Sequence, residues 1–263
     1  MNRIKTTFDE LSSNDSKALI TYIVAGDPDL DTTLNIMKCM VEEGADIIEI
    51  GIPFSDPMAE GVSIQKGHER ALLNKTSIRD ALDLVSKFRA SNKATPIVFM
   101  GYMNTFESMG VKEFCQAAAC QGVDGFLIVD MPPEESTEFS TEAENNGIDV
   151  IRLIAPTTDI SRVKEICDLS SGYIYYISVK GITGSNNLDS EDVKQKVKLL
   201  SGETDLPIAI GFGIKDSDSA LSVKDLADGI VVGSVFVDLI GEGGDTITKI
   251  AKKTKELFIA IKQ

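Results

Sequence analysis

Residues 46–53 read Asp46-Ile47-Ile48-Glu49-Ile50-Gly51-Ile52-Pro53. A short run of isoleucines without polar alternation is the pattern of a strand covered on both faces, as in a parallel sheet wrapped by helices. Strand periodicity puts Ile48 and Ile50 on one face and Ile47, Glu49 and Gly51 on the other. The same kind of run recurs at Leu19–Val24, Ile97–Met100, Gly125–Val129, Val150–Ile154, Tyr173–Ser178, Ile208–Gly211 and Gly229–Val232. Between the runs lie amphipathic stretches. Leu34, Met37 and Cys39–Val41 form one helical stripe; Ile78, Leu82, Val85 and Phe88 another; Val111, Phe114 and Ala118 a third; Val193, Val197 and Leu200 a fourth. Gly44, Gly122 and Gly147 fall where helices should end. Eight strands, each followed by helical chain, in 263 residues is the count of a (β/α)₈ barrel. The expected architecture is an α/β TIM barrel with an extra N-terminal helix and extended loops after strands 2 and 6. It forms one domain over 1–263, since no Pro/Gly/Ser-rich linker divides the chain. The alternative, an open doubly wound sheet, calls for a Gly-rich fingerprint after the first strand, where this chain has Ala25-Gly26-Asp27-Pro28.

A hydrophobic share of 43% and a charged share of 25% are those of an ordinary globule. The formal net charge of -15 makes nucleic acid and anionic lipid poor partners. It leaves room for an anionic substrate, because local backbone dipoles outweigh a distant surface charge. Cys39, Cys115, Cys120 and Cys167 form no C-x-x-C pair, fall in helical stretches and read as small buried hydrophobes, which fits a reducing compartment. With no apolar signal core and no run long enough to span a membrane, a cytoplasmic location is expected.

In such a barrel chemistry gathers at the C-terminal strand ends. Glu49 breaks an apolar strand, so its carboxyl must be paired, protonated or facing the mouth. A structural ion pair is one reading. The other is an acid whose pKa is raised by desolvation, suited to shuttle a proton near neutral pH. Glu60, in the loop Phe54-Ser55-Asp56-Pro57-Met58-Ala59-Glu60-Gly61, has two readings: a carboxylate facing Glu49 across a substrate, or a solvated acidic loop residue. Strand 7 ends at Gly211-Phe212-Gly213, and strand 8 at Gly233-Ser234 before a short apolar helical run. Small residues there, with bare N–H groups and a helix N-terminus, make the recurrent phosphate site of these barrels, or else merely tight turns. Gly184 in the strand 6 loop offers another N–H. The lone histidine, His68, reads as part of a helix's polar face, so a His-based triad or a His-rich metal site is not expected. Lys180 follows strand 6, but a solvated lysine keeps its proton and makes a poor Schiff-base former.

These segments, in this order, resemble the α subunit of tryptophan synthase. The likeness is carried by Ala25–Pro28, by Glu49–Pro57 with its P-F-S-D-P loop, by Ile64-Gln65, by Met100-Gly101-Tyr102-Met103-Asn104 and by Asp130-Met131-Pro132-Pro133-Glu134-Glu135. Gly181-Ile182-Thr183-Gly184, Gly211–Ile214 and Gly233-Ser234 complete it. The resemblance implies retro-aldol cleavage of indole-3-glycerol phosphate to indole and glyceraldehyde 3-phosphate. It implies that Glu49 is the main acid/base, that Tyr175 lies near it, and that Thr183 orders the strand 6 loop over bound substrate. Gly184, Gly213, Gly233 and Ser234 match phosphate binders, and Tyr22 and Met100 match positions lining the indole pocket. The family normally has an aspartate at the position of Glu60, so this chain carries one extra methylene there. The resemblance further implies docking on a pyridoxal-phosphate β subunit in an α2β2 assembly through Asp56, Pro57, Asn104 and Pro132. It implies no cofactor and no metal in this chain. Two other readings share parts of the pattern: a phosphosugar isomerase or epimerase on the same barrel, and a non-catalytic α-like subunit.

Overall fold

The computed structural model describes residues 2–177, 190–211 and 213–262. Eight parallel strands close into a barrel in sequence order: β1 Ala18–Val24, β2 Ile47–Gly51, β3 Ile97–Gly101, β4 Gly125–Ile128, β5 Asp149–Ile154, β6 Ile174–Ile177, β7 Ile208–Gly211 and β8 Gly229–Val232. The apolar runs locate all eight to within two residues at each described end. Around them lie α1 Arg3–Ser13, α2 Leu30–Glu42, α3 Val62–Leu73, α4 Ile78–Arg89, α5 Met103–Glu107, α6 Val111–Gln121, α7 Thr137–Asn145, α8 Ile160–Asp168, α9 Ser190–Leu200, α10 Ser217–Leu221, α11 Ser234–Glu242 and α12 Thr246–Lys262. The extended connection expected after strand 2 is not all loop: α3 occupies its middle.

Two apolar layers result from strand alternation. Ile48, Ile50, Phe99 and Phe126 point outward into the layer between strands and helices, where Phe106, Phe114, Phe126 and Phe139 form a tilted aromatic cluster. Ile20, Ile47, Val98, Leu127, Ile151, Ala209 and Val231 fill the lumen. Helix α1 closes the N-terminal end of that lumen by inserting Ile4 and Phe8. A buried charge network fastens it there. Asp124 takes Arg3 on one oxygen and Arg89 on the other, each at 2.7 Å, and also accepts from the Ile97 N–H at 2.8 Å. Such fully paired groups escape the penalty that a lone buried charge carries. Helix ends follow local chemistry: Ser77 and Asp80 form a capping box on α4, and Gly122 ends α6 at φ 90, a left-handed conformation that glycine adopts without a Cβ clash.

Three cysteines are buried as expected, but Cys120 is exposed, since α6 turns its Phe114, Cys115 and Ala118 face inward and leaves Cys120 off it. Among the described residues no helix is long and apolar enough to cross a membrane. At the N-terminal face, α1 and the strand starts border a cleft of about 550 Å³ with Asp9, Asp149, Asp205 and Asp228 on its wall. It lies at the opposite end of the barrel from the strand ends that carry the candidate site.

Candidate active site

Strand β2 delivers Glu49 to the lumen, between Ile47 and Gly51 on the inward face, in register with Tyr22 of β1 and Val98 of β3. The side chain is fully buried. No cation pairs with it among the described residues, so the ion-pair reading fails; its partner is a phenol. Tyr173, just before β6, donates its hydroxyl to Glu49 Oε1 at 2.5 Å, while Oε2 has no hydrogen-bond partner among the described residues. Burial lifts the carboxyl from 4.5 to about 7, against the opposing pull of the Tyr173 hydrogen bond. The asymmetry decides where the proton sits. Oε1 is committed as an acceptor, so protonated Glu49 carries its hydrogen on Oε2, the oxygen the protein leaves unengaged.

Glu60 lies in the turn that leads into α3, half-buried, with its pKa raised by burial. The Tyr102 hydroxyl donates to Glu60 Oε2 and accepts from the Ala59 N–H at 3.1 Å, and Gln65 Nε2 donates to the Glu60 carbonyl at 2.8 Å. Phe54 stacks on Tyr102 with ring centroids 4.9 Å apart. The longer carboxylate is thus anchored on β3's C-terminal end as well as on its own loop.

Tyr175 projects from β6 toward the same space and is only partly exposed; burial, then the charges of Glu49 and Glu60, hold its ionisation well above the ordinary value. Two glycines make room for the tyrosines. A Cβ at Gly211 would lie 2.0 Å from Tyr175 Oη, and one at Gly51 would lie 2.1 Å from Tyr22 Oη. Gly51→Ala is therefore expected to force the Tyr22 ring aside and to cost about 1–3 kcal/mol of stability, as overpacking typically does, measurable by urea unfolding. Met100 packs on both the lumen cluster and the Tyr22 cluster, where a pocket wall is expected.

At the opposite side of the mouth Gly233 is the N-cap of α11 and supplies no side-chain cap; Ser234 is the first residue of that helix. The Phe236 N–H is taken by the Gly233 carbonyl at 2.9 Å, so the donors left to face an anion at this end are the Ser234 and Val235 N–H groups. Gly213 is exposed, at φ 77, with open space where a Cβ would point. Arg70 of α3 braces this end. It forms a two-pronged pair with buried Asp27 at 2.7 and 2.8 Å and donates to the Val237 carbonyl of α11 at 3.0 Å. Thr183, Gly184 and Lys180 lie outside the described residues. Of the expected docking residues, Asp56 and Asn104 are exposed, Pro132 is half-buried and Pro57 is buried; Met58 and Val62, beside them in sequence, are exposed apolar residues.

Tyr173, Tyr102 and His68 escaped the reading of the sequence. Tyr102 follows the C-terminal end of β3, where a tyrosine is a signal, whereas Tyr173 precedes the start of β6, and nothing in the chain says which carboxylate each meets. His68 is a correction. It does not lie on a polar face but is buried at 1% exposure, because α3 packs against α11 and β1, with Gly67 admitting Val237 and Val24. Its Nδ1 accepts from the Phe54 N–H at 3.1 Å and its Nε2 lies 3.3 Å from Tyr22 Oη. Among the described residues no group of three or more His, Cys, Asp or Glu is arranged to hold a metal ion.

The family model described as tryptophan synthase alpha chain matches residues 8–263. The alpha chain of Thioalkalivibrio sulfidiphilus is 49% identical over 242 residues, covering 92% of this chain and 91% of that protein. The alpha chain of Neisseria meningitidis serogroup B is 46% identical over 263 residues, the full length of both. Among solved structures, tryptophan synthase subunit alpha from Legionella pneumophila str. Paris superposes with a TM-score of 0.92 at 37% identity, over 99% of this chain and 98% of that one. The tryptophan synthase complex from Pyrococcus furiosus gives 0.83 at 37% identity, over 92% and 98%.

Proposed function

Because the chain belongs to the tryptophan synthase alpha chain family, and so is a lyase that cleaves indole-3-glycerol phosphate to indole and glyceraldehyde 3-phosphate in tryptophan biosynthesis, we propose that Glu49 is the acid and base of that cleavage. The observation that carries this is one buried carboxyl with a single engaged oxygen and a pKa near 7. Protonated Glu49 delivers the Oε2 hydrogen to the indole ring carbon that bears the glycerol chain, and the ring nitrogen becomes cationic. The Glu60 carboxylate holds that charge as it develops. Glu49, now a carboxylate, takes the proton of the hydroxyl next to the ring. The carbon–carbon bond breaks, its electron pair returns to the ring, and the hydroxyl carbon becomes the aldehyde. The hydroxyl proton has moved to carbon and Glu49 is protonated again, so each turnover restores the starting state.

Gly213, Gly233 and Ser234, with Gly184 of the strand 6 loop, grip the phosphate, and Thr183 orders that loop over bound substrate. Tyr22 and Met100 wall the indole, and Tyr175 stands beside Glu49. Single-domain organisation over 1–263 and a cytoplasmic setting accompany this reading. A β subunit that carries pyridoxal phosphate docks on the face bearing Asp56, Pro57, Asn104 and Pro132 in an α2β2 assembly. The steps assigned to this chain use only its own residues.

The test is indole release from indole-3-glycerol phosphate, followed by absorbance, as a function of pH with the β subunit present. An acid that must start protonated gives a kcat/KM that falls as pH rises past about 7. Tyr173 lowers the Glu49 pKa through its hydrogen bond, so Tyr173→Phe is expected to move that limb to higher pH. A limb that stays in place in the variant removes Tyr173 from the reaction.

A further inference from the structure

Tyr22 and His68 form a buried pair; the cleavage as described uses the Tyr22 ring as a wall but neither its hydroxyl nor His68. The Phe54 N–H, which can only donate, is bonded to His68 Nδ1 at 3.1 Å. Nδ1 is therefore the acceptor nitrogen, and the ring hydrogen sits on Nε2. Burial pushes the His68 pKa down to about 4, so near pH 7 the ring is neutral and held in this one tautomer. Nε2–H then donates to Tyr22 Oη at 3.3 Å. The phenol oxygen is thus used as an acceptor, and its own hydrogen remains to be given. No acceptor for it exists among the described residues, although the side chain is only 4% exposed.

The position of Tyr22 narrows what that hydrogen can meet. The body of the side chain lies against Gly233, whose Cβ, if present, would be 3.2 Å from Tyr22 Cβ. The hydroxyl end lies over Gly51, two residues beyond Glu49 on the same inward face of β2. Burial, and then the charges of Glu60 and Glu49, hold the Tyr22 ionisation well above its ordinary value. The ring therefore spans from the phosphate end of the mouth to its carboxylate end. The part of a substrate that must bridge the same two ends is the three-carbon linker between phosphate and indole.

Resting on the reading of this mouth as the site for indole-3-glycerol phosphate, we propose that Tyr22 donates a hydrogen bond to a hydroxyl oxygen of the glycerol linker. His68 is the positioning residue that fixes the direction of that donation. The pair makes the site selective for a hydroxylated linker over a bare one.

Indole-propanol phosphate is the matching probe, since it keeps the ring and the phosphate but has no linker hydroxyls. In the full chain assayed with its β subunit, Tyr22→Phe is expected to raise KM for indole-3-glycerol phosphate roughly five- to tenfold, the worth of one neutral hydrogen bond. The Kd for indole-propanol phosphate should stay within about twofold. His68→Leu should give the same split. His68→Gln, whose amide can accept from Phe54 and donate to Tyr22, should recover most of the loss. The double variant Tyr22→Phe/His68→Leu should be no worse than Tyr22→Phe alone. Equal weakening of both ligands by Tyr22→Phe overturns the proposal, as does an unchanged KM. A His68→Leu loss as large in the Tyr22→Phe background as in the parent makes His68 merely structural and overturns its role. Each of these failures leaves Glu49-dependent indole formation intact. Failure of the underlying reading shows differently, as a parent enzyme that forms no indole from indole-3-glycerol phosphate.

Discussion

Glu49→Gln is expected to cut indole formation by a factor on the order of 10⁴, at the upper end of what one acid–base group supplies, because the same carboxyl delivers one proton and removes another. The Kd for indole-propanol phosphate should change by less than about threefold, since that ligand needs no proton from the site. The same variant has a stability signature. The Glu49 pKa is raised on folding from 4.5 to about 7, so between those values the folded state binds more protons than the unfolded one. Stability from this group is complete below 4.5 and is lost as pH rises through 7, to a total of about 3 kcal/mol. Glutamine does not titrate. However well the amide fits, the stability of the variant relative to the parent should therefore rise by about that amount between pH 4.5 and 8. Urea unfolding of both proteins at the two pH values measures it. A variant that keeps turnover would end the proton-shuttle assignment, and a pH-independent stability difference would show that Glu49 does not titrate near 7.

Glu60→Ala should lower kcat about 10²–10³-fold in the assembly with the β subunit, the usual consequence of removing one preorganised group opposite a developing charge. Two further substitutions separate charge from anchoring. Glu60→Gln can still accept from Tyr102 but brings no charge, and it should fall nearly as far as alanine. Glu60→Asp keeps the charge but is one methylene short of the Tyr102 hydroxyl that now anchors the carboxylate. Its loss should stay smaller than that of Glu60→Gln, because the charge opposite the ring nitrogen is kept. Full activity in Glu60→Gln would mean that the ring cation is stabilised elsewhere.

The strands were legible because burial on both faces writes continuous apolar runs, and Glu49 was legible as the interruption of one. What surrounds Glu49 was not, because it comes from distant chain. Tyr173 is 124 residues from Glu49 in sequence, Tyr102 is 42 from Glu60, and His68 is 46 from Tyr22. Local periodicity carries no information on such pairings; barrel closure makes them. His68 was misread for a related reason. Its neighbours Gln65, Lys66, Glu69 and Arg70 are polar, and a window that short suggests a solvated helix face. In the fold Arg70 is spent on Asp27 and Gly67 lets α3 settle under α11, which drags the ring indoors.

The plug of the barrel floor has a consequence for the reaction. Phe8 of α1 rests on the ring of Tyr173 with centroids 5.7 Å apart, and that phenol is what holds Glu49 Oε1. The first turns of the polypeptide thus set the height of the pedestal on which the proton donor stands. A change in how this helix seats, remote from any ligand, would detune the acid without altering a single residue that substrate touches.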